Sequence, residues 1–166
     1  MSHNKREPGN AYATALRFLS YRERSVKEVR DRLIDKGFGD EETDRVVAGL
    51  IETGLVNDER FASMLASTRL RNKNWGPAKI AAELRVKGVS REIAGKVLSQ
   101  FDGEDESNAA QRAFSKWARK SGATLTGPDR KDLDRAIRHL KARGFSTPLI
   151  LKVVGGLKHG QDSDNP

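Results

Sequence analysis

The 166-residue sequence carries 31 Lys and Arg against 23 Asp and Glu, a net charge of +8, with two Trp, two Tyr, six Phe and no cysteine. So few aromatics argue against one large core, and the lack of cysteine excludes disulfides and thiolate metal sites. No apolar run approaches the ~20 residues of a membrane span, and residues 1–10 lack the apolar segment of a signal peptide. A soluble cytoplasmic protein is expected.

The charge is unevenly placed. Residues 11–53 carry eight basic and nine acidic groups, residues 57–101 nine and four, and residues 109–159 twelve and three, so net charge climbs from −1 through +5 to +9. A near-neutral start followed by strongly basic segments points to a polyanionic surface met by the middle and C-terminal thirds.

At the N-terminus, the polar stretch before Asn10 predicts a disordered tail over 1–10. A helix from Asn10 carries Ala11, Ala15, Leu16, Phe18, Leu19 and Tyr21. Ser25-Val26-Lys27-Glu28 has capping-box spacing and opens a helix burying Val26, Val29 and Leu33 that ends at Gly37. A third helix from near Asp40 offers Val46, Val47, Leu50 and Ile51 to the core. Asn57 or Asp58 caps the next helix, with Phe61, Leu65 and Leu70 inside. Pro77 suits a first helical position, Ile80 and Leu84 share one face, and Gly88 stops that helix. Ser90 then caps a helix running to Phe101 with Ile93 and Val97 inside.

Asp102–Ser107 reads as an acidic, glycine-broken linker. A helix with Ala109, Ala110, Phe114 and Trp117 follows, then a loop over Ser121–Gly127. Leu133, Ala136, Ile137 and Leu140 recur at helical spacing up to Gly144. Ser146-Thr147-Pro148 starts a last helix carrying Leu149, Ile150, Val153, Val154 and Leu157.

The layout repeats. An offset of 51 carries Val29, Leu33, Lys36, Gly37, Val46 and Leu50 onto Ile80, Leu84, Lys87, Gly88, Val97 and Phe101. An offset of 56 carries Leu84, Gly88, Ser90, Ile93, Val97 and Phe101 onto Leu140, Gly144, Ser146, Leu149, Val153 and Leu157. The expected fold is all-α, with three tandem three-helix, helix-turn-helix-like repeats over 11–55, 56–102 and 103–158 and a polar tail over 159–166. Each repeat buries too little area to be very stable alone, so an elongated, modular chain with linkers near Gly54 and Gly103 is expected.

No phosphate-binding glycine loop, nucleophile elbow, metalloprotease helix or calcium loop is present. His3, His139 and His159 stand apart, and His139 reads as a partly exposed surface histidine. Asp40-Glu41-Glu42 and Glu104-Asp105-Glu106 suit a helix start and a linker. No catalytic, cofactor-binding or metal-binding residue is expected, and no enzyme. A base-reading helix-turn-helix needs polar third helices. The first instead exposes Glu41, Glu42, Asp44 and Glu52, and the last is largely apolar. Only the middle one, with Arg91, Lys96, Ser99 and Gln100, has suitable side chains.

The basic candidates lie elsewhere. Lys131, Arg135 and Arg138 follow at i, i+4 and i+7, away from Leu133, Ile137 and Leu140. Arg69, Arg71, Lys73 and Lys79 cluster around the Asn72–Gly76 junction, and Arg85 and Lys87 join them as outward-facing candidates. Such groups serve as positioning charges for a polyanion. Trp75 beside them either stacks on a base or packs over a helix N-terminus.

Asp58-Glu59-Arg60-Phe61-Ala62 and Gly76-Pro77-Ala78-Lys79-Ile80-Ala81-Ala82-Glu83-Leu84-Arg85-Val86-Lys87-Gly88-Val89 resemble the two most recognisable stretches of the RecX family. Ala15–Leu19 and Ser25–Phe38 are similar to that family's first repeat. The resemblance covers roughly residues 11–157 and is most specific in 58–89. It implies three three-helix repeats in an elongated, curved chain. It also implies a non-enzymatic regulator of the RecA recombinase, acting in homologous recombination, DNA repair and the SOS response. Such proteins lie in the groove of the RecA–single-stranded DNA filament and limit its growth, strand exchange and coprotease activity; some also bind DNA directly. The RecA filament and single-stranded DNA are the expected partners, no membrane is involved, and a monomer is expected. The rival readings are a helix-turn-helix DNA-binding regulator acting without RecA and an adaptor that binds protein only.

Overall fold

A computed structural model describes residues 10–122 and 130–155. The tail over 1–9, the loop from 123 onward, Leu157 and the polar tail from His159 lie outside the described residues. The described residues form α1 (Ala11–Leu19), α2 (Val26–Asp35), α3 (Asp40–Glu52), α4 (Asp58–Asn72), α5 (Pro77–Val86), α6 (Arg91–Leu98), α7 (Gly103–Ser121), α8 (Arg130–Ala142) and α9 (Thr147–Gly155), with no strand among them.

Helix starts follow short-range chemistry. Asn10 Oδ1 accepts the Tyr12 N–H at 2.8 Å, Asn57 Oδ1 the Arg60 N–H at 2.8 Å and Ser90 Oγ the Ile93 N–H at 3.2 Å. Ser25 and Glu28 form the full capping box, with the Glu28 N–H on Ser25 Oγ at 3.1 Å and the Ser25 N–H on Glu28 Oε2 at 3.3 Å. Each such bond satisfies a donor that the first helical turn leaves without a partner.

The stop after each repeat's second helix has one geometry three times. Gly37, Gly88 and Gly144 have φ of +88°, +81° and +89°, a left-handed conformation that costs glycine little. The next residue turns back: the Phe38, Val89 and Phe145 N–H groups donate to the Leu33, Leu84 and Leu140 carbonyls at 3.2, 3.0 and 3.4 Å. Those three leucines are fully buried, and Phe38, Val89 and Phe145 are buried beside them. This is the Schellman closure with its apolar contact, and it recurs at the same place in each of the three repeats.

Several expectations are corrected. Residues 103–107 belong to the first turn of α7, not to a linker: Asp102 Oδ1 accepts the Asp105 N–H at 2.7 Å, and Glu104, Asp105 and Glu106 favour the positive end of the helix dipole. α6 ends at Leu98, so Phe101 follows the helix and is half-buried. Tyr21 lies beyond α1 and is exposed, as is Leu16. The inner stripe of α3 is Thr43, Val47 and Leu50, which leaves Ile51 at its margin, 48% exposed.

The chain divides into two compact units, Met1–Met64 with Leu84–Ala94 and Leu65–Glu83 with Gly95–Pro166. In the first, α1, α2 and α3 pack on one another around Ala11, Ala15, Val29, Leu33, Phe38, Val47, Leu50 and Val56. The start of α4 is tied into it: Asp58 Oδ1 accepts the Val26 N–H at 2.9 Å, while Arg60 donates to Glu23 at 2.8 Å and to the Gly54 carbonyl at 3.1 Å. In the second, α7, α8 and α9 pack mutually, with Ala110, Phe114, Ala136, Leu140, Ile150 and Val154 buried.

Candidate polyanion-binding face

Within the second unit, the turn between α4 and α5 lies against the end of α8. The Gly76 N–H donates to the Arg143 carbonyl at 2.7 Å and the Ala78 N–H to the Gly144 carbonyl at 3.2 Å. Arg143 Nη1 donates to the Lys73 carbonyl at 2.6 Å. A Cβ on either Gly76 or Gly144 would overlap the facing main chain, so two glycines permit this approach. It joins basic residues that lie far apart in sequence, Arg71, Lys73 and Lys79 from one side and Arg143 from the other.

Two cations lie near the Trp75 ring, Lys79 Nζ at 4.4 Å and the Arg69 guanidinium at 5.4 Å from its centroid. Both are cation–π contacts, and Lys79 belongs to the first turn of α5. Arg69 is itself committed, with two hydrogen bonds of 2.6 Å to Glu83. His139 lies 6.1 Å from Trp117, centroid to centroid. Arg143 Nε donates to His139 Nε2 at 3.2 Å, which requires a neutral imidazole. Burial first, then the charges of Arg143 and Lys79, hold the His139 pKa below its ordinary value.

The other candidates divide. Arg71, Lys73, Lys131 and Arg138 are exposed or half-exposed and have no ion pair among the described residues. Arg135 reaches Asp132 at 3.1 Å. In the first unit, Arg85 is exposed, whereas Lys87 binds Glu28 at 2.8 Å and its carbonyl accepts from Ser25 Oγ at 2.7 Å. Lys87 therefore braces α2.

A third basic row goes beyond the candidates read from sequence. Arg112, Lys116 and Arg119 line an open groove of about 420 Å³ with Asn74, Asn108, Gln111 and Ser115. No carboxylate lines it, and Arg112 Nε donates to Asn74 Oδ1 at 3.0 Å. A signal for it exists in the sequence: Arg112, Lys116 and Arg119 have the same i, i+4, i+7 spacing as Lys131, Arg135 and Arg138.

Guanidinium, ammonium and amide groups of this kind bind phosphate or carboxylate oxygens. No group of three or more His, Cys, Asp or Glu able to hold a metal occurs among the described residues. No helix among them is long and apolar enough to cross a membrane. Fold and surface together define an all-helical protein of tandem three-helix repeats with basic faces.

Residues 11–50 match the family model described as RecX, first three-helix domain, and residues 57–98 that described as RecX, second three-helix domain. Regulatory protein RecX of Chlorobium limicola is 32% identical over 165 residues, 98% of each chain. Regulatory protein RecX of Bacillus subtilis is 32% identical over 95% of this chain and 59% of its own length. The crystal structure of RecX from Lactobacillus salivarius matches with a TM-score of 0.79 at 26% identity, covering 91% of this chain and 96% of that one. The chain belongs to the RecX family, and these relatives are named as regulators. It spans 56% and 59% of the length of the Oceanobacillus iheyensis and Bacillus subtilis proteins.

Proposed function

We propose that this protein regulates the RecA recombinase, binding the RecA–single-stranded DNA filament and restraining its recombinase, ATPase and coprotease activities without chemistry of its own. Family membership supplies the class of partner. The observation that carries the reading is the basic face of the second unit, where Arg71, Lys73, Arg112, Lys116, Arg119 and Arg143 are set around the Asn74–Gly76 turn. The repeats over 11–55, 56–102 and 103–158 act as successive binding modules of a cytoplasmic monomer, so that modest local contacts sum.

The test is RecA-dependent ATP hydrolysis on single-stranded DNA with substoichiometric amounts of this protein. Slowed hydrolysis is the expected result, and an unchanged rate overturns the reading. The helix-turn-helix alternative is disfavoured because α3 exposes Glu41, Glu42 and Asp44, and α9 exposes Leu151. A sequence-specific gel shift of naked duplex DNA would revive it.

A further inference from the structure

The first unit has a near-neutral net charge, yet its charges are segregated. Many of its acids already have partners: Glu28 binds Arg22 at 2.9 Å and Lys87 at 2.8 Å, Asp40 and Asp44 bind Arg30 at 3.1 and 2.9 Å, and Glu23 binds Arg60 at 2.8 Å. Asp31 pairs with Lys27. Three of the remaining cations stand together. Arg17, Arg32 and Lys36 line a cavity of about 190 Å³ with Thr14, Phe18 and Tyr21. No carboxylate lines it, and none of the three has an ion pair among the described residues.

The surroundings add positive charge. The Arg24 guanidinium lies 3.9 Å and that of Arg32 5.5 Å from the Phe18 ring centroid. Arg24 Nε is buried without a hydrogen-bond partner. Burial, followed by the nearby charge of Arg22 and, less strongly, Arg32, outweighs Glu28 and pulls the Arg24 pKa below its ordinary value. Like charges gathered in this way repel unless an anion joins them. Tyr21, in the same lining, is 78% exposed.

We propose that this cavity binds one nucleotide unit of a single-stranded nucleic acid, with the phosphate on Arg17, Arg32 and Lys36 and the base stacked on Tyr21. The volume is below the roughly 300 Å³ at which pockets begin to enclose a whole small molecule. It suits a phosphate and the edge of its sugar, with the base outside against the exposed ring. An acidic peptide would use the cations and leave the aromatic face without a planar partner. The proposal rests on the reading of single-stranded DNA as a partner and adds a site for it on residues of the first unit; its test contains no RecA, so it fails separately from the filament reading.

The test is fluorescence anisotropy of a labelled oligo-dT of about 15 nucleotides with the full chain. The variants are Tyr21→Ala, Tyr21→Phe and the triple change Arg17→Ala, Arg32→Ala and Lys36→Ala. Circular dichroism checks that each remains helical. Loss of one stacked base predicts binding about tenfold weaker for Tyr21→Ala, whereas Tyr21→Phe keeps the ring and the affinity. The triple variant loses affinity, and its salt dependence flattens by about two in log–log slope. Unchanged affinity in Tyr21→Ala overturns the proposal. So does a labelled poly-glutamate that binds as tightly and is weakened equally by Tyr21→Ala, which assigns the cavity to acidic peptides. Displacement of the oligonucleotide by micromolar dTMP overturns the strand and assigns the cavity to free nucleotides.

Discussion

Glu28 shows how many roles one side chain takes in this protein. Its carboxylate closes the capping box of α2, and accepts from Arg22 at 2.9 Å and from Lys87 at 2.8 Å. Burial alone would raise its pKa, but the hydrogen bonds from Arg22, Lys87 and the Ser25 N–H outweigh it and hold the value at about 2. The folded pKa is below that of the unfolded chain, so the unfolded state binds more protons in between. Stability is then fully present above about pH 4.5 and is lost as the pH falls toward 2, by on the order of 2–3 kcal/mol. Urea melts down that pH range should show this loss in the native chain and a flatter acid limb in Glu28→Gln. His139 is the counterpart in the second unit. Its depressed pKa and its bond from Arg143 predict that a bound polyanion raises its titration midpoint. Affinity for single-stranded DNA should therefore rise as the pH falls below the ordinary histidine range, as anisotropy titrations would show, and His139→Gln should remove that pH dependence.

Among the elements, the helix ends carry the most information. Ser25 is fully buried. Its Oγ caps α2 and donates to the Lys87 carbonyl, 62 residues away. Ser25→Ala removes both bonds and strands a carbonyl, so a loss of about 2 kcal/mol is expected in chemical denaturation. Gly144→Ala meets two obstacles, a φ of +89° and the main chain of Lys79, and should cost about 2–4 kcal/mol. The Leu-x-x-x-Gly stops and serine caps are legible in sequence because their bonds close within a few residues. The start of α7 is harder to read. Asp102-Gly103-Glu104-Asp105-Glu106 has a linker's composition, while the dipole and the Asp102 cap make the same acids good first-turn residues. The stretches that most resemble the family, Asp58–Ala62 and Gly76–Val89, are occupied mainly with holding the fold: Asp58 caps α2, Arg60 binds Glu23, Glu83 binds Arg69 and Lys87 binds Glu28.

Taken together, the rows Lys131, Arg135, Arg138 and Arg112, Lys116, Arg119 are the two long basic faces of the second unit. Reversal of either row to glutamate should weaken filament binding and flatten its salt dependence, measured by titration at several salt concentrations. Unchanged affinity and salt dependence in both would overturn the basic-face reading. Apart from the start of α7 and the end of α6, the helices with their caps and stops, the threefold repeat and the basic balance of the middle and C-terminal segments are legible in the amino-acid order. They rest on hydrogen bonds and side-chain spacings within a turn or two, or on composition. Which cations are held inside the protein, such as Arg69 on Glu83 and Lys87 on Glu28, and which remain outside becomes clear from the packed helices alone. The same is true of the meeting of Lys73 with Arg143, 70 residues away, and of the cavity that Arg17, Arg32 and Lys36 share. A charge's partner is set by where the backbone brings it, and neither spacing nor composition encodes that distance.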